Sequence, residues 1–127
     1  MRLFLKMFSV MAFILAIAGV PATGGQISEV PDVPVKNMVT VVDLGAKFCV
    51  PCKLMAPILA ELEKEYQGRA AIIFIDVREH KGIAKEFNVS TIPTQIFYDK
   101  SGQEVWRHVG FLDKETIKEK LDALLQK

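Results

Sequence analysis

A cysteine pair at the junction between a buried strand and a helix constrains the fold of this chain most strongly. Residues 38–44 are almost continuously apolar and rich in β-branched residues, which is the pattern of a strand buried on both faces. Cys49 and Cys52 follow after a short turn, and the segment beyond them is apolar at helical spacing. The apolar stripe of that helix comprises Leu54, Met55, Ile58, Leu59, Leu62 and Tyr66. The sequence therefore predicts a strand–turn–helix unit with both cysteines at the start of the helix, and core positions for Leu54 and Met55.

The spacing of the two cysteines favours redox chemistry over a stabilising cross-link. A disulfide that closes so short a loop contributes roughly 2 kcal/mol, against about 3 kcal/mol for a 15-residue loop. A thiolate at a helix N-terminus is stabilised by unpaired backbone N–H groups and by the helix dipole, which lower its pKa. We expect Cys49 to attack a substrate disulfide and Cys52 to resolve the mixed disulfide. Pro51 suits the first helical turn, where its missing N–H would have no partner.

Two other roles for the cysteine pair stay open at the level of sequence. One is a structural disulfide, which is the default for two cysteines in an exported protein. The other is half of a metal site, although zinc takes four ligands and His80 and His108 lie at spacings that match no common zinc pattern. We predict no metal and no other cofactor, and surface positions for both histidines.

The remaining pattern predicts an alternating α/β domain. A second buried strand is expected over residues 70–77, a short helix over 79–87, and a hairpin of two strands over 94–99 and 104–109. A final helix follows Asp113, which can cap it. In the resulting β-α-β-α-β-β-α order, strands joined by helices pair parallel and the hairpin adds antiparallel strands. The expected fold is a mixed central sheet with helices on both faces.

The N-terminus has the layout of a secretory signal peptide. Arg2 and Lys6 introduce an uncharged apolar run over residues 7–20, and small residues follow it. The run is 14 residues long, whereas a membrane-spanning helix needs about 20. We predict cleavage after Ala22, with Ala18 as a second candidate site and an uncleaved membrane anchor as the alternative.

These boundaries divide the chain into a signal peptide at 1–22, an extended leader at 23–37 and one domain at 38–127. Pro31 and Pro34 oppose a helix in the leader. Loss of the two basic residues of the signal peptide reduces the 16 Lys and Arg residues to 14, against 15 acidic residues, and these charges are interspersed. We therefore expect an exported monomer, in the periplasm or another extracytoplasmic space, that does not bind nucleic acid.

From residue 38 onward the chain resembles the thioredoxin superfamily. Residues 41–57 look like that family's active-site strand, turn and kinked helix. Residues 91–94 are similar to its cis-proline loop, and residues 109–110 to the segment before its last helix. The resemblance implies a thioredoxin fold whose first strand and helix are reduced or missing, because little chain precedes residue 38.

The resemblance also implies roles for individual residues. Cys49 and Cys52 would form the redox-active disulfide, with Cys49 as nucleophile and Asp43 as the buried acid beneath Cys52. Desolvation raises the pKa of such a carboxyl, which can then exchange a proton with Cys52 directly or through water. The implied substrate-binding residues are Val50, Pro51, Ile92 and Pro93, the last two joined by a cis peptide.

Several positions depart from the family's pattern. Gly45 and Phe48 stand where the family has tryptophans. A Val-Pro pair replaces the usual Gly-Pro between the cysteines, as in some thioredoxin-like reductases of cytochrome c maturation. The lysine that commonly accompanies the buried acid falls at about Ile72, so we expect Asp43 to lack a cationic partner.

The resemblance implies a thiol–disulfide oxidoreductase that acts on disulfide-containing proteins. A reductase is the leading hypothesis, because the proline before Cys52 and the isoleucine before Pro93 resemble reducing members of the family. In an oxidising compartment a reductase must be recharged, which implies a membrane thiol-electron donor as partner. The alternatives are a disulfide-forming or isomerising enzyme, and a thioredoxin-like binding module without redox activity.

Overall fold

The computed structural model describes residues 29–127, which form four strands and three helices. Along the chain these are β1 (Val39–Gly45), α1 (Val50–Glu65), β2 (Ala70–Asp76), α2 (Ile83–Glu86), β3 (Thr94–Tyr98), β4 (Glu104–Val109) and α3 (Lys114–Leu125). Their order confirms the predicted alternation of strands and helices. Residues 29–38 form neither helix nor strand, so the described chain has no strand or helix ahead of β1. The predicted signal peptide and the first part of the leader lie outside the described residues.

The four strands form one mixed sheet in the order β2-β1-β3-β4. β1 pairs parallel with β2 and antiparallel with β3, and β3 pairs antiparallel with β4. Because β1 has a strand on either side and helices on both faces of the sheet, all seven of its residues are buried. The register places Asp43 of β1 opposite Phe74 of β2 and Gln95 of β3.

Apolar side chains cover both faces of the sheet. The buried side chains packed against α1 and α3 are Val39, Val41, Met55, Leu59, Leu62, Tyr66, Ala70, Phe97, Leu112, Ile117 and Leu121. Those packed around α2 are Val42, Leu44, Ile75, Ile83, Ile96 and Tyr98. Since β-strand side chains alternate between faces, α1 and α3 lie on one side and α2 on the other, which confirms the predicted layers. Among the described residues, no helix is long and apolar enough to cross a membrane.

Three local predictions are wrong. The sequence predicts β2 as a buried strand, but it lies at the edge of the sheet and Phe74 is 40% exposed, because only one side of β2 has a neighbouring strand. α2 covers Ile83–Glu86 and not 79–87, because Gly82 has a φ of 91° and cannot continue an α-helix out of the preceding turn. Leu54 is 57% exposed. α1 directs Met55 toward the sheet, and one residue along the helix is a rotation of about 100°, so Leu54 points away from the core.

Candidate active site

Cys49 and Cys52 form a disulfide at the first turn of α1. Cys49 is the N-cap residue, and its Sγ accepts a hydrogen bond from the backbone N–H of Cys52 at 3.4 Å. The helix itself begins with the bond from the Lys53 N–H to the Cys49 carbonyl at 2.9 Å. Cys49 is half-buried, whereas Cys52 is only 4% exposed. An incoming thiol or disulfide therefore meets Cys49 first, which is the arrangement that the order of attack requires.

The turn that presents the cysteines is held to the end of β2. The Asp76 carboxylate accepts hydrogen bonds from the backbone N–H groups of Lys47 at 3.0 Å and Arg78 at 2.9 Å. The Gly45 carbonyl accepts from the Val77 N–H at 2.9 Å. Asp76 thus positions the motif from 29 residues away along the chain. This role was not predicted from the sequence, although an aspartate at the end of a strand is a common partner of turn amides.

Gly45 makes room for an aromatic ring beside the disulfide. A Cβ at this position would lie 3.1 Å from the Phe74 ring and 3.3 Å from Cys52 Sγ, both tighter than ordinary carbon contacts. Phe74 can therefore approach the disulfide because residue 45 carries no side chain. A cavity of about 360 Å³ adjoins this contact, and Cys52, Phe74 and Ile72 contribute to its wall.

Phe74, and not Ile72, is the β2 neighbour of Asp43. The register pairs Asp43 with Phe74, whereas Ile72 pairs with Val41. Ile72 and Phe74 are two residues apart on one face of β2, and both are apolar. Phe74 is apolar, so β2 supplies no cationic partner for Asp43 at this position.

Asp43 lies fully buried in the middle of β1. Its Oδ1 accepts a hydrogen bond from the Gln95 side-chain amide at 2.7 Å, while its Oδ2 is buried without a partner. Burial raises the pKa of Asp43 from 3.8 to about 6, and the Gln95 hydrogen bond acts in the opposite direction. Asp43 and Gly45 are two residues apart and share one face of the strand, the face on which Gly45 meets Cys52. On that face of β1, the Asp43 carboxyl is therefore the next side chain along the strand from Gly45, the residue that contacts Cys52.

The loop before β3 lies beside the cysteine motif. The start of β3 is opposite the end of β1, with Thr94 paired to Leu44, and this pairing brings Pro93 next to the turn that carries the motif. The Ile92–Pro93 peptide is cis, and Pro93 is buried. The Pro93 carbonyl accepts a hydrogen bond from the Gly110 N–H at 2.8 Å, which joins this loop to the segment after β4.

Exposed apolar side chains surround the motif. The set comprises Phe48, Val50, Leu54, Val109 and Phe111. Val50 and Leu54 are four residues apart and share one face of α1. Val109 lies next to Gly110, which bonds the cis-proline loop, so apolar surface is present on both sides of the cysteines.

The comparisons with known proteins agree with this geometry. The family model described as Thioredoxin matches residues 29–123, which is most of the chain. The chain belongs to the thioredoxin family. The thioredoxins of Staphylococcus aureus strains Mu50 and MW2 are each 44% identical to it over 94 residues, which cover 74% of this chain and 89% of each relative. With its cysteine pair at the start of α1, this family member is a thiol–disulfide oxidoreductase.

Proposed function

We propose that this chain is an exported reductase of protein disulfides that is recharged by a membrane thiol-electron donor. The proposal of export rests on the N-terminal sequence, in which two basic residues precede a short apolar run and small residues. The donor is proposed from chemistry, because a dithiol in an oxidising compartment is consumed by each turnover and must be reduced again.

The hydrogen bonding around Cys49 carries the assignment of a reductase. Within residues 29–127, its Sγ accepts one backbone hydrogen bond, from the Cys52 N–H at 3.4 Å, and Pro51 has no N–H to add. A couple becomes strongly oxidising when its reduced thiolate is over-stabilised. We infer that the reduced thiolate keeps this single long hydrogen bond of the disulfide form, so its stabilisation is modest, which favours a reducing couple.

The nearby lysines add little to the stabilisation of this thiolate. Lys47 forms an ion pair with Glu79, so its charge is already largely compensated. Lys53 follows Cys52 on the first turn of α1 and is exposed. Exposed charges interact weakly through water, so neither lysine stabilises the Cys49 thiolate enough to make the couple strongly oxidising.

The reaction passes two electrons from the dithiol to the substrate. The Cys49 thiolate attacks a substrate disulfide, so that the substrate S–S bond breaks, a mixed disulfide forms and one substrate thiolate leaves. Cys52 then loses its proton to Asp43, directly or through water, and attacks Cys49 Sγ. This second step forms the Cys49–Cys52 bond and releases the other substrate thiolate. The apolar surface around the motif and the cis-proline loop would hold the substrate strand through Val50, Pro51, Ile92 and Pro93.

The reduction potential of the Cys49–Cys52 couple tests the direction of electron flow. We expect a value of roughly −270 to −200 mV, the range of reducing and near-reducing thioredoxin-type couples. Equilibration against a glutathione or dithiothreitol series, followed by thiol alkylation, would measure it. A value near −120 mV, the strong-oxidant end of the scale, would overturn the reductase and indicate a disulfide-forming enzyme.

A further inference from the structure

Gln95 is a buried polar residue in the middle of the sheet. It lies on β3 between Asp43 of β1 and His108 of β4, and its side chain is fully buried. Burying a side-chain amide is unfavourable unless its hydrogen bonds are made. Its Nε2 donates to Asp43 Oδ1 at 2.7 Å, across 52 residues of sequence.

The Gln95–Asp43 pair is only half satisfied. Gln95 Oε1 and Asp43 Oδ2 are the two buried side-chain oxygens without a hydrogen-bond partner among the described residues. Each unpaired buried group lowers stability, and an apolar pair of similar shape would avoid this cost. Packing therefore does not account for a glutamine at this position. A buried polar pair with unused hydrogen-bonding capacity calls for a functional explanation.

Of the two residues paired with Asp43 in the sheet, Gln95 is the polar one. On β2 the opposite residue is Phe74, which offers no donor. Within residues 29–127, His108 of β4 pairs with Gln95 one strand beyond it. Cys52 of α1, held in the disulfide, lies against Gly45, two residues along β1 from Asp43. The ring Nε2 of His108 lies 3.1 Å from the Phe111 carbonyl.

We propose that Gln95 is a positioning residue for proton transfer: its amide holds one oxygen of Asp43 and leaves the other free to exchange a proton with Cys52. An amide suits both protonation states of the carboxyl, because its NH₂ donates to a carboxylate and its oxygen accepts from a carboxylic acid. A lysine ammonium has donors alone and would serve the carboxylate only. The bond from Gln95 Nε2 at 2.7 Å favours the carboxylate, which is the form of Asp43 that accepts the proton of Cys52. This inference rests on the proposed role of Asp43 in the exchange.

Nuclear magnetic resonance of the oxidised protein tests the pairing without reference to catalysis, because neither cysteine titrates in the disulfide. The Gln95→Met variant keeps the length of the side chain and removes its amide. We expect the pKa of Asp43, followed by its side-chain carboxyl carbon, to rise by about one pH unit, since the lost hydrogen bond favours the charged form. Gln103→Met makes the same change at an exposed position and should leave the pKa of Asp43 where it is.

The wild-type protein gives a second readout that needs no variant. The side-chain amide signals of Gln95 should shift with pH, with the same midpoint as the Asp43 carboxyl, and Asp43→Asn should abolish that shift. If the pKa of Asp43 is unchanged in folded Gln95→Met, or if the Gln95 amide signals do not titrate with the Asp43 carboxyl, the pairing is wrong. This outcome does not depend on whether the protein is a reductase.

The rate of reduction of a dye-labelled disulfide peptide, measured from pH 4 to pH 9, tests the effect on the reaction. We expect an acid-side inflection that moves upward in Gln95→Met and disappears in Asp43→Asn, while Gln103→Met follows the wild type. Rate profiles that coincide for wild type, Gln95→Met and Asp43→Asn would overturn the role of Asp43, and with it the positioning role of Gln95. A direction of electron flow opposite to that of a reductase would leave both roles intact.

Discussion

Replacing Asp43 with asparagine should stabilise the oxidised protein at neutral pH and leave it nearly unchanged in acid. Burial raises the pKa of Asp43 from 3.8 to about 6, so the folded state binds the proton more tightly than the unfolded state does. The stability that this carboxyl contributes is fully present below pH 3.8 and is lost as the pH rises through 6. Asparagine is neutral at every pH and avoids that loss.

The size of the effect follows from the difference between the two pKa values of Asp43. A difference of about two pKa units corresponds to about 3 kcal/mol at pH values above the folded pKa. Asparagine keeps an oxygen that can accept the Gln95 amide hydrogen bond, so the change removes the charge with little change in shape. We therefore expect the free energy of unfolding of Asp43→Asn to exceed that of the wild type by up to about 3 kcal/mol at pH 7.5.

Urea denaturation of the oxidised protein at pH values from 3.5 to 8 would measure this difference. The quantity of interest is the stability of Asp43→Asn minus that of the wild type, plotted against pH. Asp32→Asn makes the same chemical change at an exposed position and controls for net charge. A difference that stays constant from pH 3.5 to pH 8 would refute the burial of an ionisable carboxyl at Asp43 as we have described it.

Three further predictions concern catalysis, the N-terminus and the packing beside the disulfide. Cys49→Ser should abolish disulfide reduction and Cys52→Ser should accumulate mixed disulfides, detected on non-reducing gels; trapping by Cys49→Ser instead would reverse the two roles. Mass spectrometry of protein from the native envelope should find a mature N-terminus at Thr23, and a full-length chain retained by the membrane after a high-salt wash would support an anchor instead. Gly45→Ala should destabilise the oxidised protein by about 1–3 kcal/mol in urea denaturation, since the new Cβ meets the Phe74 ring at 3.1 Å. Adding Phe74→Ala should recover much of that loss, and an equal loss in both backgrounds would contradict the steric explanation.

The local features of the active site could be predicted from the sequence because short-range physics determines them. A continuous run of β-branched residues can only be buried on both faces, which makes β1 a central strand. The helical spacing after Cys49 and the proline at position 51 start α1 at the cysteine motif. Asp113 caps α3 by accepting from the Thr116 N–H at 2.9 Å, an interaction between residues three apart.

Other predictions failed where a residue's surroundings depend on how whole elements pack. Leu54 fits the apolar stripe of α1, yet Met55 occupies the core, because the contact with the sheet selects one part of a broad stripe. The helix expected after β2 is shortened by the left-handed conformation of Gly82. Neither outcome is visible in the periodicity, since a hydrophobic pattern records which residues can be buried and not which of them are.

By itself the sequence determined the order of elements, the place of the cysteine pair at the start of a helix and the presence of an acid in the central strand, because each depends on residues close together in the chain. Tertiary structure alone decided what surrounds that acid. Strand register puts Phe74 on one side of Asp43 and Gln95 on the other, and register is set by pairing between segments that are distant in sequence. The pKa of Asp43 depends on those two neighbours and on burial, so it is set by the folded sheet and not by the local sequence.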